Sequence, residues 1–234
     1  MTNKKTFQAR HLLPVILTLI GVLIGILLSV LAVWADLEAT TYGFVKRAQT
    51  PFRGLSCPIF MGKNESRVVS VKVSNPTDQT LSPSVRTEIS TPMVLDYKLE
   101  FLRLAPGEQV IQRRSVGPDN IDLGRFIFVK VLVYSAYPLP NQENTCGIFV
   151  LPFPGSGSLI LTVGTTLSIL LMSTGLFLLH RNGGGIRQPR SLVFTAVVTV
   201  LAMLFGFIGW WMQAIILLVI LILMLVISLT ILVR

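Results

Sequence analysis

"RFIFVKVLVYS" (residues 125–135) is a long apolar run with a single charged residue, Lys130, in its interior. Apolar residues occupy both alternating sets of positions, which is typical of a central strand covered on both faces. The run therefore predicts a buried strand. The flanking segments should provide the strands that pair with it in the sheet and the layers that cover its two faces.

The flanking segments alternate between apolar and polar residues with a period of two, which predicts further strands. Turn residues separate them, as in "NPTDQ" (75–79) and "APGEQ" (105–109). About seven strands result, and we expect an antiparallel β-sandwich of roughly 100 residues. Besides the central run, the predicted strands are 55–60, 67–75, 84–90, 95–101, 109–116 and 145–151.

Three features follow one another along this region: "VKVSNP" (71–76), "LAPGE" (104–108) and the long penultimate strand. Their order resembles bacterial immunoglobulin-like domains of the cell-adhesion-related type. The resemblance covers about residues 55–152. It implies a module that binds or spaces other proteins, and it transfers no functional residue.

The two cysteines, Cys57 and Cys146, are predicted in the first and last strands of this region. Two cysteines without a nearby histidine cannot complete a structural zinc site, so no metal or other cofactor is predicted. A reactive thiol needs a neighbouring histidine or helix N-terminus, and neither is apparent. Outside the cytoplasm the default is a disulfide, with free or redox-active thiols as the alternative.

Four apolar segments without Asp, Glu, Lys or Arg flank the predicted sandwich: 12–34, 158–180, 192–209 and 214–233. About 20 helical residues cross the ~30 Å hydrocarbon core of a bilayer. We expect an α+β membrane protein with four transmembrane helices. The immunoglobulin-like sandwich, residues 35–157, lies between the first and second helices, and residues 210–213 form a turn outside.

The charge distribution predicts the orientation in the membrane. The chain carries a net charge of +9, yet its acidic residues all lie between Asp36 and Glu143. The tail (1–11) and the loop (181–191) contain basic residues but no acidic ones, which places them in the cytoplasm by the positive-inside rule. Both termini are then cytoplasmic, in the plasma membrane, and nucleic acid is not expected as a partner. Cleavage of the first segment after Ala35 as a signal peptide stays open.

Small residues at helical spacing predict where the helices pack closely. We expect the first three helices to make tight contacts and the fourth to face lipid or a broad partner surface. Tryptophans at the ends of segments are expected to anchor the membrane interface. The predicted packing residues are Gly21, Gly25, Ser29, Thr162, Thr165, Ser168, Thr199, Ala202 and Gly206, and the anchors are Trp34, Trp210 and Trp211.

The sequence contains no recognisable catalytic constellation. His11 and His180 lie at predicted cytoplasmic helix ends, away from every carboxylate, which excludes a Ser-His-Asp arrangement within one chain. Asp119 and Asp122 are expected to cap a turn, with Ca²⁺ binding as an alternative, and Asn64 matches a glycosylation acceptor pattern.

We expect a non-catalytic accessory or scaffold subunit of a membrane complex. Its partners would be membrane lipid and either a membrane protein or further copies of itself. The alternative is a component of a transport or lipid-handling system whose polar pathway comes from partners, because charged residues that usually line such pathways are absent from the apolar segments.

Overall fold

A computed structural model describes residues 2–92, 96–135, 139–153, 155–181 and 189–233, without the side chains of 2–11, 189–190 and 228–233. The predicted roles of His11, Leu95, the basic tail and most of the loop 181–191 therefore lie outside the described residues. The chain divides into two compact units. The helical unit is Met1–Val33 with Leu161–Arg234, and the sheet unit is Trp34–Ile160.

Four helices account for the predicted apolar segments: α1 (Thr2–Thr41), α2 (Gly157–Arg181), α3 (Pro189–Ile208) and α4 (Trp211–Val233). Within the part of the chain that the structure describes with side chains, three stretches are long and apolar enough to cross a membrane, namely Leu12–Thr41, Gly157–Arg181 and Ser191–Ile208. The described side chains of α4 form a shorter apolar helix, Trp211–Ile227. Helix α1 continues beyond the predicted segment 12–34 at both ends.

Small residues bring α1 close to α2 and α3 within the helical unit. The Ser168 hydroxyl donates a hydrogen bond to the Gly21 carbonyl at 2.7 Å. A side chain at Gly25 would meet Thr199 and Met203 of α3, because its Cβ would lie 2.5 Å from a Thr199 methyl group. Backbones approach this closely only where side chains are absent or small.

Helix α4 buries one face within the helical unit. Ala214, Leu218 and Leu221 on this face pack against α3 and α1. Bulky aliphatic side chains can interlock without a stripe of small residues. The other described side chains of α4 are exposed or half-buried. One buried face is compatible with the expectation that α4 mostly faces lipid or a partner, which stays a prediction.

The turn between α3 and α4 is shorter than the predicted 210–213. Gly209 adopts a left-handed conformation with φ 81°. Its N–H bonds to the Gly206 carbonyl, and the Trp210 N–H bonds to the Phe205 carbonyl. This Schellman arrangement ends α3 within two residues, and α4 begins at Trp211.

In its described residues, the sheet unit contains nine strands and one short 3₁₀ turn, Pro118–Asn120. The larger sheet, sheet A, has the order β1-β9-β8-β5-β6 with β3 also paired to β9, and sheet B has the order β2-β4-β7. The strands are β1 (Thr50–Pro51), β2 (Leu55–Ser56), β3 (Phe60–Gly62), β4 (Arg67–Ser74), β5 (Ser84–Ile89), β6 (Asp96–Phe101), β7 (Gln109–Val116), β8 (Phe126–Tyr134) and β9 (Gln142–Leu151).

The predicted central strand is confirmed, since the first eight residues of β8 are all buried. Ile127 and Val129 face the core shared with sheet B, where Val69 of β4 packs against them. The opposite face of β8 carries aromatic rings that are covered by the C-terminal end of α1 and the chain that follows it. Trp34 and Tyr42 supply this cover, with ring centroids 5.4 Å from Phe126 and 4.3 Å from Phe128, respectively.

Two of the short strands correct the expectation of a purely antiparallel sandwich. Strands β1 and β3 both pair with β9 in parallel. The predicted strand 55–60 is split, because Leu55–Ser56 pairs with β4 and Phe60–Gly62 pairs with β9. The chain from Thr50 to Gly62 thus follows β9 along its length and switches sheets twice, which places Cys57 between strands.

We expect Gly21→Ala to destabilise the helical unit by about 1–3 kcal/mol, because the added Cβ would sit 2.7 Å from the Ser168 carbonyl oxygen, a backbone atom that cannot move aside. The matched control is Gly164→Ala, whose Cβ would meet only the flexible end of Leu28 at 3.2 Å. Thermal unfolding of both variants in detergent checks this. Equal midpoints for the two variants would contradict the close contact.

Candidate functional site

Three large apolar side chains lie exposed in a row on β6. Tyr97, Leu99 and Phe101 are 61%, 44% and 80% exposed, and we call them the edge row. Register with β5 places Leu99 beside Arg86 and Tyr97 beside Glu88, on the face of sheet A opposite the core. Contiguous exposed apolar side chains mark interaction surfaces, whereas single ones are ordinary.

Strand β6 inverts the usual pattern of a sandwich strand. Its charged residues Asp96, Lys98 and Glu100 pair with Ile89, Thr87 and Val85, which lie on the core face of β5.

Sheet B ends at β7, so the inward face of β6 lies at the open side of the sandwich, where charges stay half exposed. The Asp96 carboxylate bonds Arg114 of β7 at 2.9 Å. Lys98 pairs with Glu100. The apolar set is therefore left on the outer face.

Arg86 fixes one end of the edge row. Its guanidinium lies 4.5 Å from the Tyr97 ring centroid, over the ring, which is a cation–π contact. Arg86 is itself held by Glu88, with Nε 2.6 Å from a carboxylate oxygen. The Glu88 side chain is 7% exposed, so the pair is partly shielded from water. Tyr97 is thus held in place on an otherwise open surface.

A buried polar network continues from Glu88 across the outer face of sheet A. Lys130, 3% exposed, lies 3.2 Å from the Glu143 carboxylate and donates to the Val45 carbonyl. Glu143 also accepts the N–H groups of Arg47 and Ala48 at 2.8 and 3.0 Å.

Burial raises the pKa of the Glu143 carboxyl, but the N–H donors and Lys130 outweigh it and lower the pKa. These groups satisfy one another, so the network fastens the chain after α1 to the sheet.

A cleft of about 300 Å³ opens at the end of the sandwich where β8 finishes and β9 begins. Apolar side chains form its floor, including Phe52, Leu81 and Leu104, and Arg53 and Lys72 also line it. Its volume is at the lower limit of ligand pockets. No arrangement of donors within it selects a particular ligand, so the edge row is the stronger candidate.

The structure joins Cys57 and Cys146 in a disulfide with a Cα–Cα distance of 6.5 Å. The predicted disulfide is therefore formed in this structure. The bond connects the chain beside sheet B to β9 of sheet A and closes 89 residues. The chain-entropy model gives such a loop a stabilisation of about 4–5 kcal/mol.

The predicted packing residues divide into two groups. Those of α1 and α3 contact neighbouring helices: Ser29, Thr199 and Ala202 are buried, and the Gly206 position faces Val33. On α2, Ser168 is buried as predicted, whereas Thr162 is exposed and Thr165 is half-buried.

The three tryptophans lie in different surroundings. Trp34 packs on Phe126 and donates from its ring nitrogen to Glu38 at 2.9 Å. Trp210 is 54% exposed and stacks on Phe205. Trp211 packs beside the cluster formed by α3 and α4. The structure contains no bilayer, so their anchoring role stays a prediction.

Asp122, one of the two residues considered for Ca²⁺ binding, already has partners within the protein. Its carboxylate accepts hydrogen bonds from the Tyr42 hydroxyl and from the Leu123 N–H, which caps the turn before β8. Among the described residues, no group of three or more His, Cys, Asp or Glu side chains could hold a metal ion.

A single carboxylate joins the end of β3 to the start of α2. Glu65 accepts the N–H groups of Gly62 and Gly157 at 2.8 and 2.7 Å and also bonds Arg67 and Ser156. Burial raises the pKa of the Glu65 carboxyl, but the four donors outweigh it and lower the pKa to about 2. An anion at a helix N-terminus also complements the helix dipole.

No protein-family model matches this chain, and no curated protein matches it. Similar solved structures include the CARDB domain of a Pyrococcus furiosus protein in complex with di-metal ions. It has 19% identity and a TM-score of 0.35, over 46% of this chain and 98% of that domain.

Two β-glucosidases, from Erythrobacter marinus and Listeria innocua, match with 18% and 14% identity and TM-scores of 0.27 and 0.31. They match 39% and 42% of this chain, which spans 14% and 16% of their own lengths. Likenesses at these TM-scores carry no argument about activity.

Sequence reasoning found the alternation in "LDYKLEF" but not the direction in which the apolar set faces. One available signal was that charged residues occupy the whole alternate set, since inward-pointing charge is a common feature of edge strands. The contribution of Arg86 had no comparable signal, because it depends on the register of β5 against β6.

We expect the stability contribution of Glu65 to depend on pH. Because its folded pKa is lowered from 4.5 to about 2, this contribution is fully present above about pH 4.5 and is lost as the pH falls towards 2. Glu65→Gln should lower the unfolding temperature of the full chain at pH 7, and the difference from the wild type should shrink in that window.

Glu108→Gln is the control, because the exposed Glu108 caps a turn through one N–H bond, from Ala105 at 2.7 Å. A Glu65→Gln difference that stays constant from pH 7 to pH 2.5 would contradict the assignment.

Proposed function

We propose that this chain is a non-catalytic integral membrane protein whose immunoglobulin-like β-sandwich binds another protein through the edge row. The observation that carries the proposal is the exposure of Tyr97, Leu99 and Phe101 on one face of β6. Soluble sandwich strands usually turn such residues inwards, because burial of each large apolar side chain stabilises by about 1.5–3 kcal/mol. The surface gains this free energy when a partner covers it.

The anchoring of the sheet unit supports an accessory or scaffold role. The unit begins at Trp34 in α1 and ends at Ile160 in α2, so it is attached at both ends to apolar helices. We propose that these and the other two helices span the plasma membrane, with both termini cytoplasmic and residues 35–157 outside. Two attachments restrict the orientation of the sandwich, which suits a partner held in the same membrane.

The buried network supports a preformed surface. Successive contacts link Lys130 to Glu143, Glu143 to Arg47, and Arg47 to Glu88. Glu88 in turn holds Arg86, which lies over the Tyr97 ring. A binding surface fixed before the partner arrives loses less conformational entropy on association. This reading also explains why so many charges are ordered on one face of sheet A without forming a catalytic arrangement.

The proposed membrane topology predicts which positions can be labelled from outside the cell. Lys63→Cys, at an exposed turn after β3, should react with a membrane-impermeant maleimide in intact spheroplasts. Arg187→Cys, in the loop 181–191, should react only after permeabilisation, and the unchanged chain should stay unlabelled because its two cysteines form a disulfide. Labelling of the Arg187 variant alone in intact spheroplasts would reverse the orientation.

The edge row predicts a specific cross-link. A photoreactive amino acid at Phe101 should yield an adduct with a membrane-associated protein in native membranes, whereas the same group at Val68 should not. Val68 is a matched control, being 54% exposed on the outer face of sheet B. Leu99→Ser should reduce the Phe101 adduct several-fold without lowering the unfolding temperature. Equal adducts from Phe101 and Val68 would contradict the proposal.

A further inference from the structure

The free edge of β6 exposes the backbone of the same three residues that form the edge row. Beyond the end of the strands, Leu81 and Leu104 exchange two backbone hydrogen bonds, and the Leu102 N–H bonds the Pro83 carbonyl at 2.9 Å. Antiparallel pairs alternate between bonded and non-bonded, and the β5–β6 register continues this ladder. Asp96, Lys98 and Glu100 therefore direct their backbone groups towards β5. The N–H and C=O groups of the edge row point away from it.

Strand β6 is an edge strand of sheet A. Among the described strands, β6 pairs with β5 alone. Natural edge strands are blunted by proline, bulges or inward-pointing charge. Of these, β6 has the charges of Asp96, Lys98 and Glu100, and its six residues are regular. These three charges alternate in sign, so they disfavour pairing with most strands. They favour pairing with a strand whose opposing residues carry the complementary charges.

We propose that β6 binds an extended segment of a partner protein as an additional strand of sheet A, a proposal that rests on the edge row being the binding surface. The segment would place apolar side chains beside Tyr97, Leu99 and Phe101. Between them it would place a carboxylate opposite Lys98 and basic residues opposite Asp96 and Glu100. Strand addition of this kind takes its affinity from backbone bonds and its specificity from alternate side chains.

A second copy of the chain is a poor occupant, because its charges fit only in part. Pairing about Leu99 would set Lys98 opposite Glu100 of the second copy, but Asp96 would lie opposite Leu102 and have no basic partner.

The direct test uses a defined peptide and the full-length chain in detergent. The chain carries Leu99→Cys. The peptide alternates valine with charged residues, in the order Lys, Glu and Lys. In an antiparallel register these charged residues lie opposite Glu100, Lys98 and Asp96, respectively. A cysteine replaces the valine that lies opposite position 99. Paired residues in a ladder have Cα atoms about 5.5 Å apart, within disulfide range. We expect disulfide trapping at least fivefold above that of the charge-reversed peptide, and above trapping by Val68→Cys.

An otherwise identical peptide with N-methyl groups on the amides that face β6 distinguishes strand addition from side-chain docking. Strand addition predicts that its trapping falls to the level of Val68→Cys. Trapping that does not change on N-methylation, or on charge reversal, would overturn the proposal. A Leu99→Cys homodimer that forms in preference to the peptide adduct would also overturn it, in favour of a second copy.

The backbone can also be tested in native membranes. Leu99→Pro removes an N–H group that faces the free edge while leaving the bonds to β5 in place. It should abolish the Phe101 cross-link, whereas Leu99→Met should keep it, and an intact Cys57–Cys146 disulfide reports folding of both. A cross-link that survives Leu99→Pro but is lost in Leu99→Ser would sink strand addition and leave the proposed protein contact standing. If the chain with the photoreactive group at Phe101 and an unchanged Leu99 formed no adduct, the proposed function itself would be wrong.

Discussion

The sheet unit depends on one requirement, that both faces of β8 be covered. The first eight residues of this strand are buried, and apolar side chains on both of its faces would each lose about 1.5–3 kcal/mol on exposure. Sheet B covers one face. The other face is covered by the C-terminal end of α1 and the chain after it, through the rings of Trp34 and Tyr42. The position of this part of the chain is thus a consequence of the sequence of β8.

An irregular segment over the second face places polar backbone groups against an apolar sheet. The buried network of Lys130 and Glu143 supplies hydrogen-bond partners for these groups. The carbonyl of Val45 and the N–H groups of Arg47 and Ala48 would be costly to bury without partners. Lys130 and Glu143 provide those partners from neighbouring strands. The one charged residue in the interior of the central apolar run is therefore required by the layer above it.

Much of the architecture could be read from periodicity, and the failures have a common physical cause. The six longer strands, β4 to β9, and the four helices repeat their pattern over enough residues for period two or continuous apolarity to be unambiguous. Strands β1 and β3 contain two and three residues, too few to show any period. Their parallel pairing with β9 depends on the path of the chain between sheets, which local sequence does not encode.

The candidate site shows the same limit. Alternation in β6 identified which residues share a face, but the choice of face depends on the width of sheet B, which ends at β7. A sheet one strand wider would have made the outward set the charged one. Likewise, Gly21 and Gly25 could be predicted to pack from their spacing, whereas the burial of one face of α4 required knowing which aliphatic side chains of α3 it meets.

The disulfide between Cys57 and Cys146 has a consequence for the integrity of the whole molecule. These residues lie near the two ends of the sheet unit, so the bond creates a second covalent route between α1 and the other three helices. A protease that cuts one surface loop between the two cysteines leaves every helix on a single molecule. The sheet unit can therefore be cut once between the two cysteines without separating α1 from the other three helices.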